Sequence, residues 1–179
     1  MRPYILAQNN ITMNNNASKT RHLWIAAILI IAAISIIISV KKSDFTIILH
    51  EGTSCKIKDP TFSLSWIHSV DKTPWIEQYQ RSNHGFILTH SIFRTFGAGV
   101  PHDGKVLESH DGMIHYEMNQ PIAEINWVID REVQSTIILP QQHSWKIYEN
   151  SPRFSEVQIR NQPLNFWQRL LIRNCHETQ

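Results

Sequence analysis

The sequence predicts an all-β domain, an antiparallel sandwich or barrel-like fold, preceded by one transmembrane α-helix. Three observations lead there. Residues 23–40 (LWIAAILIIAAISIIISV) form an uncharged run near the N-terminus. Beyond it, short segments of alternating apolar residues recur between turn residues, which is the pattern of antiparallel strands. About 135 residues follow the run, enough to enclose a core of their own.

The apolar run comes first. As a helix it spans about 27 Å at about 1.5 Å per residue, close to the roughly 30 Å hydrocarbon core of a bilayer. Trp24 falls at one interface, and Arg21 and His22 before it and Lys41 and Lys42 after it supply polar ends. A cleaved signal peptide has a shorter apolar region, of about 7–15 residues, and a small-x-small site. Ser39-Val40-Lys41-Lys42 is a poor cleavage site, so an uncleaved anchor is expected. Arg2, Lys19 and Arg21 precede the run, while Lys41, Lys42, Lys56 and Lys58 follow it. That count favours neither orientation, but a long following domain translocates largely regardless of it. The expected organisation is a disordered Asn-rich cytoplasmic tail (1–22), a membrane anchor (23–40), an extracytoplasmic β-rich domain (43–163), and a short amphipathic helix and tail (164–179).

Strands are expected at residues 45–50, 61–70, 75–82 and 86–96. In residues 61–70, Phe62, Leu64, Trp66, His68 and Val70 share one face. Asn83-His84-Gly85 reads as the turn of a hairpin. Asp111-Gly112 suits a two-residue turn, which places Leu107 opposite Tyr116 and Glu108 opposite His115. Leu107, Ser109, Ile114 and Tyr116 then face the core, and Glu108, His110, His115 and Glu117 face water. Later strands are expected at 123–129, 133–139, 144–149 and 154–160, with Pro121, Pro140, Pro152 and Pro163 between them. The segment LNFWQRLLIR after Pro163 reads as a short amphipathic helix, which caps the barrel or rests on a bilayer.

Composition bounds the function. The 179 residues carry a formal net charge of +2 and 18% charged residues, with no basic excess to recruit nucleic acid. Six Trp, seven Phe and four Tyr suit a packed core rather than a disordered chain. No Cys/His spacing for a structural metal occurs, and no cofactor motif is present. Cys55 and Cys175 are the two cysteines. In an oxidising compartment their pairing closes a loop worth about 4–5 kcal/mol, but Cys175 falls in what reads as a loose tail.

Functional residue types are densest between His68 and Glu77. His68 lies on an apolar face, where a bare imidazole needs a partner, and Glu77, on the same face as Trp75 and Tyr79, can supply it. The plain reading is a histidine that holds a strand corner; a binding role is the sharper one. His68, Ser69 and Asp71 do not make a triad, because neighbours on a strand point to opposite faces. Hydrolysis is therefore only a third option. Phe96-Gly97-Ala98-Gly99-Val100-Pro101 permits a tight turn and a close backbone approach. The polar face of Glu108, His110, His115 and Glu117 is read as solvated rather than as a metal site.

Two blocks together carry a resemblance. His68-Ser69-Val70-Asp71-Lys72-Thr73-Pro74-Trp75 with Glu77, followed by Gly97-Ala98-Gly99-Val100-Pro101, resembles the bacterial "domain of unknown function 1850" family, over residues 45–160. Asp71 stands where Glu is common in that family. The resemblance implies a single-pass protein of the bacterial inner (cytoplasmic) membrane with its main domain on the periplasmic side. It further implies a non-enzymatic accessory role beside a TAXI-type TRAP transporter, with the permease or its solute receptor as partner. His68, Ser69, Asp71, Pro74, Trp75, Glu77, Gly97, Ala98, Gly99 and Pro101 are the expected binding or partner-contact residues, with no catalytic residues and no metal. The alternative is an extracytoplasmic module that binds a small molecule or a metal ion.

Overall fold

The computed structural model describes residues 11–40, 42–97, 99–100, 103–140 and 143–175, with backbone alone for 11–17. The chain divides into a helical unit, Met1–Lys42, and a β unit, Ser43–Gln179. In the first, α1 runs over Ile11–Val40. Its 23-residue stretch Ser18–Val40 is long and apolar enough to cross a membrane, rising about 35 Å. A helix of this kind near an N-terminus serves as a membrane anchor or as a signal sequence. The helix starts earlier than the apolar run, so part of the Asn-rich segment expected as a tail is helical. Extending a formed helix is far cheaper than nucleating one.

The β unit holds eleven described strands: β1 (Ser43–His50), β2 (Thr53–Ile57), β3 (Thr61–Ile67), β4 (Pro74–Ser82), β5 (Gly85–Phe93), β6 (Lys105–Leu107), β7 (Ile114–Ile122), β8 (Glu124–Ile129), β9 (Thr136–Ile138), β10 (Ser144–Trp145) and β11 (Ser155–Leu164). A short helix, α2 (Phe166–Leu171), follows. A small sheet has the order β2-β1-β11-β8 and a large one the order β10-β9-β3-β4-β5-β7-β6. Every strand pairing is antiparallel. Period-2 alternation gives each sheet an apolar face. Ile48, Ile129, Val157 and Ile159 of the small sheet share one core with Phe62, Leu64, Phe86, Phe93 and Ile137 of the large one. The expected all-β class is the one found.

Several local expectations are corrected. β3 stops at Ile67, not at residue 70, because the Ile67 amide donates to the Val133 carbonyl (2.6 Å) and a turn begins. Val70, placed on the core face by alternation, is therefore 71% exposed. The β4–β5 turn has two residues, since Gly85 already pairs with Ser82. Gly85 has φ +127, and a Cβ there would lie 2.3 Å from the Ile122 carbonyl oxygen. At Asp111-Gly112 there is no two-residue turn. Asp111 Oδ1 accepts from the Met113 amide (2.9 Å) and from Ser109 Oγ (2.5 Å), opening a wider loop. Leu107 then pairs with His115 and Val106 with Tyr116, one residue off the expected register, so Leu107 leaves the core face. The turn with two left-handed residues sits instead at Glu51-Gly52 (φ +48 and +72), joining β1 to β2, a strand the sequence did not reveal. Pro121 and Pro163 lie inside β7 and β11 rather than between strands. Each falls beyond the stretch its outer neighbour pairs, where an amide donor is not needed.

Residues 172–175 are not the loose tail expected. Cys55 and Cys175 form a disulfide, and both are buried. Asn174 bridges Lys56 in parallel, the Lys56 amide donates to the Arg173 carbonyl (2.9 Å), and Lys56 Nζ donates to the Ile172 carbonyl. On the outer face of the small sheet, Phe45, Ile47 and Leu164 form a second core against Leu49 and Ile172. The segment thus wraps the β2 edge, protecting an edge strand from stray pairing.

Candidate binding corner at the end of the large sheet

The corner is built where β3 ends. The His68 amide donates to the Thr73 carbonyl (2.8 Å) and the Lys72 amide to the His68 carbonyl (2.9 Å), closing a loop with Lys72 at φ +54. Pro74 then opens β4 opposite Ile67, a position that suits a residue without an N–H. Within the loop the Asp71 amide donates to His68 Nδ1 (3.3 Å), and Asp71 Oδ2 lies 3.4 Å from the same nitrogen. In the neutral ring Nδ1 accepts and the proton sits on Nε2. In the charged ring Nδ1–H is available to the Asp71 carboxylate.

Aromatic rings fix the imidazole from below. His68 stacks on Trp75 at 5.3 Å between centroids, Trp75 stacks on Phe93 at 4.8 Å, and Trp66 lies 6.0 Å from Trp75 and 6.3 Å from Trp127. Each such contact adds roughly 0.5–1.5 kcal/mol beyond area burial, so the ring positions are stiff.

Alternation along β4 turns Trp75, Glu77 and Tyr79 inward. Burial raises the pKa of Glu77 above the ordinary carboxyl value, opposed first by a hydrogen bond from the Tyr79 hydroxyl and then by the Trp75 indole. The Tyr79 phenol is held well above its usual range by burial and by the Glu77 charge. Trp75 Nε1 makes no hydrogen bond of full geometry and is buried, as is Ser91 Oγ, which faces Glu77 across the β4–β5 pair. Buried polar atoms are seldom left in that state.

Above these groups lies a cavity of about 310 Å³ lined by Trp66, His68, Ser69, Trp75, Glu77, Gly99 and Val133. The two sequence blocks therefore meet: His68, Ser69, Trp75 and Glu77 from the first share a wall with Gly99 from the second. Gly97 backs onto Asp71, and a Cβ at Gly97 would lie 2.9 Å from Asp71 Oδ2. Asp71 braces His68 from outside the cavity lining, and Pro74 sets the strand start and is exposed. Ala98 and Pro101 lie outside the described residues. The expected His68–Glu77 pairing is replaced by two separate pairs, His68 with Asp71 and Glu77 with Tyr79. Trp66, Val133 and Ser91 join the corner without having been singled out. Trp66 was legible as sharing a face with His68, whereas Val133 arrives through the hydrogen bond that its carbonyl accepts from Ile67 and Ser91 through the β4–β5 pairing, neither with a local signal.

The loop face reads differently. Asp111 Oδ2 meets His115 Nε2 at 2.8 Å. Hydrogen bonds from Ser109, His115 and the Met113 amide hold the Asp111 carboxyl well below its usual range. Among the described residues no three or more His, Cys, Asp or Glu gather as a metal site.

Residues 62–147 match the family model described as Domain of unknown function (DUF1850). The DUF1850 match runs from β3 through β10 to a 3-10 turn at Ile147–Glu149, and so contains both blocks and the whole corner. It is narrower than the 45–160 expected: β1, β2 and β11 lie outside it. No curated protein and no solved structure matches the chain.

Proposed function

We propose that this chain is a non-enzymatic accessory protein of a solute transporter, held in the bacterial inner membrane by α1 with its β domain on the periplasmic side. The observation that carries the reading is the meeting of the two blocks at one aromatic-walled corner. The contact or ligand face is His68, Ser69, Trp75, Glu77 and Gly99, with Asp71 and Gly97 holding it from behind. The DUF1850 resemblance supports a TAXI-type TRAP permease, or its solute receptor, as the partner. The Cys55–Cys175 disulfide supports the periplasmic side, because disulfides persist in oxidising compartments. A tether supports partnership with a membrane complex by keeping the domain at high local concentration.

A second reading has an observation of its own. A cavity of about 310 Å³ falls at the lower end of the roughly 300–1,000 Å³ range of small-molecule sites, with a carboxyl and an indole N–H beside it. In that reading the corner binds a small solute.

Crosslinking the tagged full-length protein in native membranes separates the two. Recovery of a TRAP permease or receptor that is lost with His68→Ala, and absent from a control lacking residues 45–179, supports the accessory role. Efficient crosslinking that recovers no transport component overturns it and leaves the solute reading, tested by the mass of small molecules co-purifying with the wild-type chain but not with Glu77→Gln.

A further inference from the structure

Helix α2 is turned the wrong way round for a helix on a water-facing surface. Such a helix packs its apolar stripe inward and shows its polar side. Here Trp167, Leu170 and Leu171 share one helical face and are exposed by 52%, 65% and 85%. Phe166 and Arg169 are the half-buried residues of α2, and the Arg169 guanidinium lies 5.9 Å over the Phe166 ring. Fraying does not explain this. Asn165 and Gln168 form a reciprocal capping box, the Ile172 amide donates to the Gln168 carbonyl (3.0 Å), and the disulfide at Cys175 locks the chain just beyond.

Chain connectivity indicates what covers the face. Leu164, the last residue of β11, pairs with Ser43, the first of β1. Residues 41 and 42 alone separate Ser43 from Val40, the end of α1, and the three steps between them span at most about 11 Å. A helix that crosses a bilayer ends at the headgroups, so Ser43 stays close to them, and α2 starts two residues past Leu164. We propose that α2 lies in the interface of the bilayer that α1 spans, seating Trp167, Leu170 and Leu171 at the acyl boundary. Trp suits that depth, and the exposed Arg173 and Lys42 complement anionic headgroups. The Asn161 side chain donates to the Ser82 carbonyl (2.7 Å), so the β4–β5 turn marks the same pole. The His68–Glu77 corner lies at the opposite ends of β3 and β4 from that pole. The proposal rests on the reading of α1 as a retained anchor.

The test uses the full chain in vesicles of phosphatidylcholine and phosphatidylglycerol whose acyl chains carry bromine near the headgroup. Trp24→Phe first removes the anchor's own tryptophan. Bromolipid is expected to quench W24F and to lose most of that effect on W24F/W167F. It is expected to quench W24F/L170S/L171S, which keeps the Trp167 reporter, less than W24F. Equal quenching of all three overturns the proposal. So does Trp167 shielded from an aqueous quencher but untouched by bromolipid, which would mark a protein cover such as a second copy. Release of the wild-type chain from the vesicles by alkaline carbonate is a different failure: it removes the anchor reading itself, and this inference with it.

Discussion

Two regions of the β domain are held by different means. At the β2 edge of the small sheet the chain is clamped: Lys56 and Asn174 bridge, and the Cys55–Cys175 disulfide closes the edge beside the eight residue pairs of β1 and β11. At the corner, Glu77, Trp75 Nε1 and Ser91 Oγ are withdrawn from water beneath a cavity, with one hydrogen bond, Tyr79 to Glu77, among them. Buried polar groups of this kind cost stability, and a covalently closed edge supplies it. The difference teaches that a covalent clamp holds one region and stacked rings hold the other, and buried polar groups beneath a cavity are the physical reason for reading the corner as the binding region.

The comparison breaks most decisively at the disulfide. Replacing both cysteines (C55A/C175A) is expected to cost about 5 kcal/mol by loop closure over a separation of 120 residues. Denaturant midpoints of the full chain, with and without reductant, measure it. If the clamped edge supports the corner, partner capture falls with it even where the chain stays folded. His68→Ala comes next. The imidazole is 15% exposed and stacked on Trp75, so a loss of about 1 kcal/mol is expected. Partner capture should disappear under conditions where the variant is fully folded. A variant that keeps its partner would make the corner structural, and the comparison would lose its functional half.

Smaller changes sharpen it. Gly97→Ala pushes a methyl against the Asp71 carboxylate, the flexible end of a side chain that can yield. The expected stability change is within about 0.5 kcal/mol, with crosslinking yield reduced more than stability because His68 loses its brace. Glu77→Gln is the smallest at any single pH and is read as a slope. The folded carboxyl has a raised pKa, so the folded state holds its proton more tightly than the unfolded state. Wild-type stability therefore falls as pH rises from the ordinary glutamate value through the raised one. Glu77→Gln keeps an acceptor for Tyr79 and should flatten that fall in a chemical-denaturation series across pH. An unchanged slope would show that Glu77 is not desolvated in the folded protein.

How much was legible follows from where each feature's cause lies. Alternation in Phe62, Leu64, Trp75 and Tyr79 announced the inward faces, and the β4–β5 hairpin followed from its turn. Both are local signals. The two blocks identified the corner, but not that Asp71 rather than Glu77 would hold His68, which depends on the turn closed by the Thr73 and His68 carbonyls. At Asp111 a side-chain oxygen outcompeted the two-residue turn that Asp-Gly suggests, shifting the register by one. The disulfide was judged from the apparent looseness of residue 175. Its burial comes from β2, itself concealed behind Glu51-Gly52, where a non-glycine residue takes a left-handed conformation.

The Cys55–Cys175 bond also has a mechanical consequence. A pull between α1 and Cys175 runs from residue 43 to 55 and crosses the sulfur bridge to 175, bypassing the large sheet. With the bridge closed, the 120-residue separation it spans cannot be drawn out, which removes about 400 Å of contour length from the chain's possible extension. A partner that tugs on the tail would load only the clamp, and the corner would keep its shape under tension.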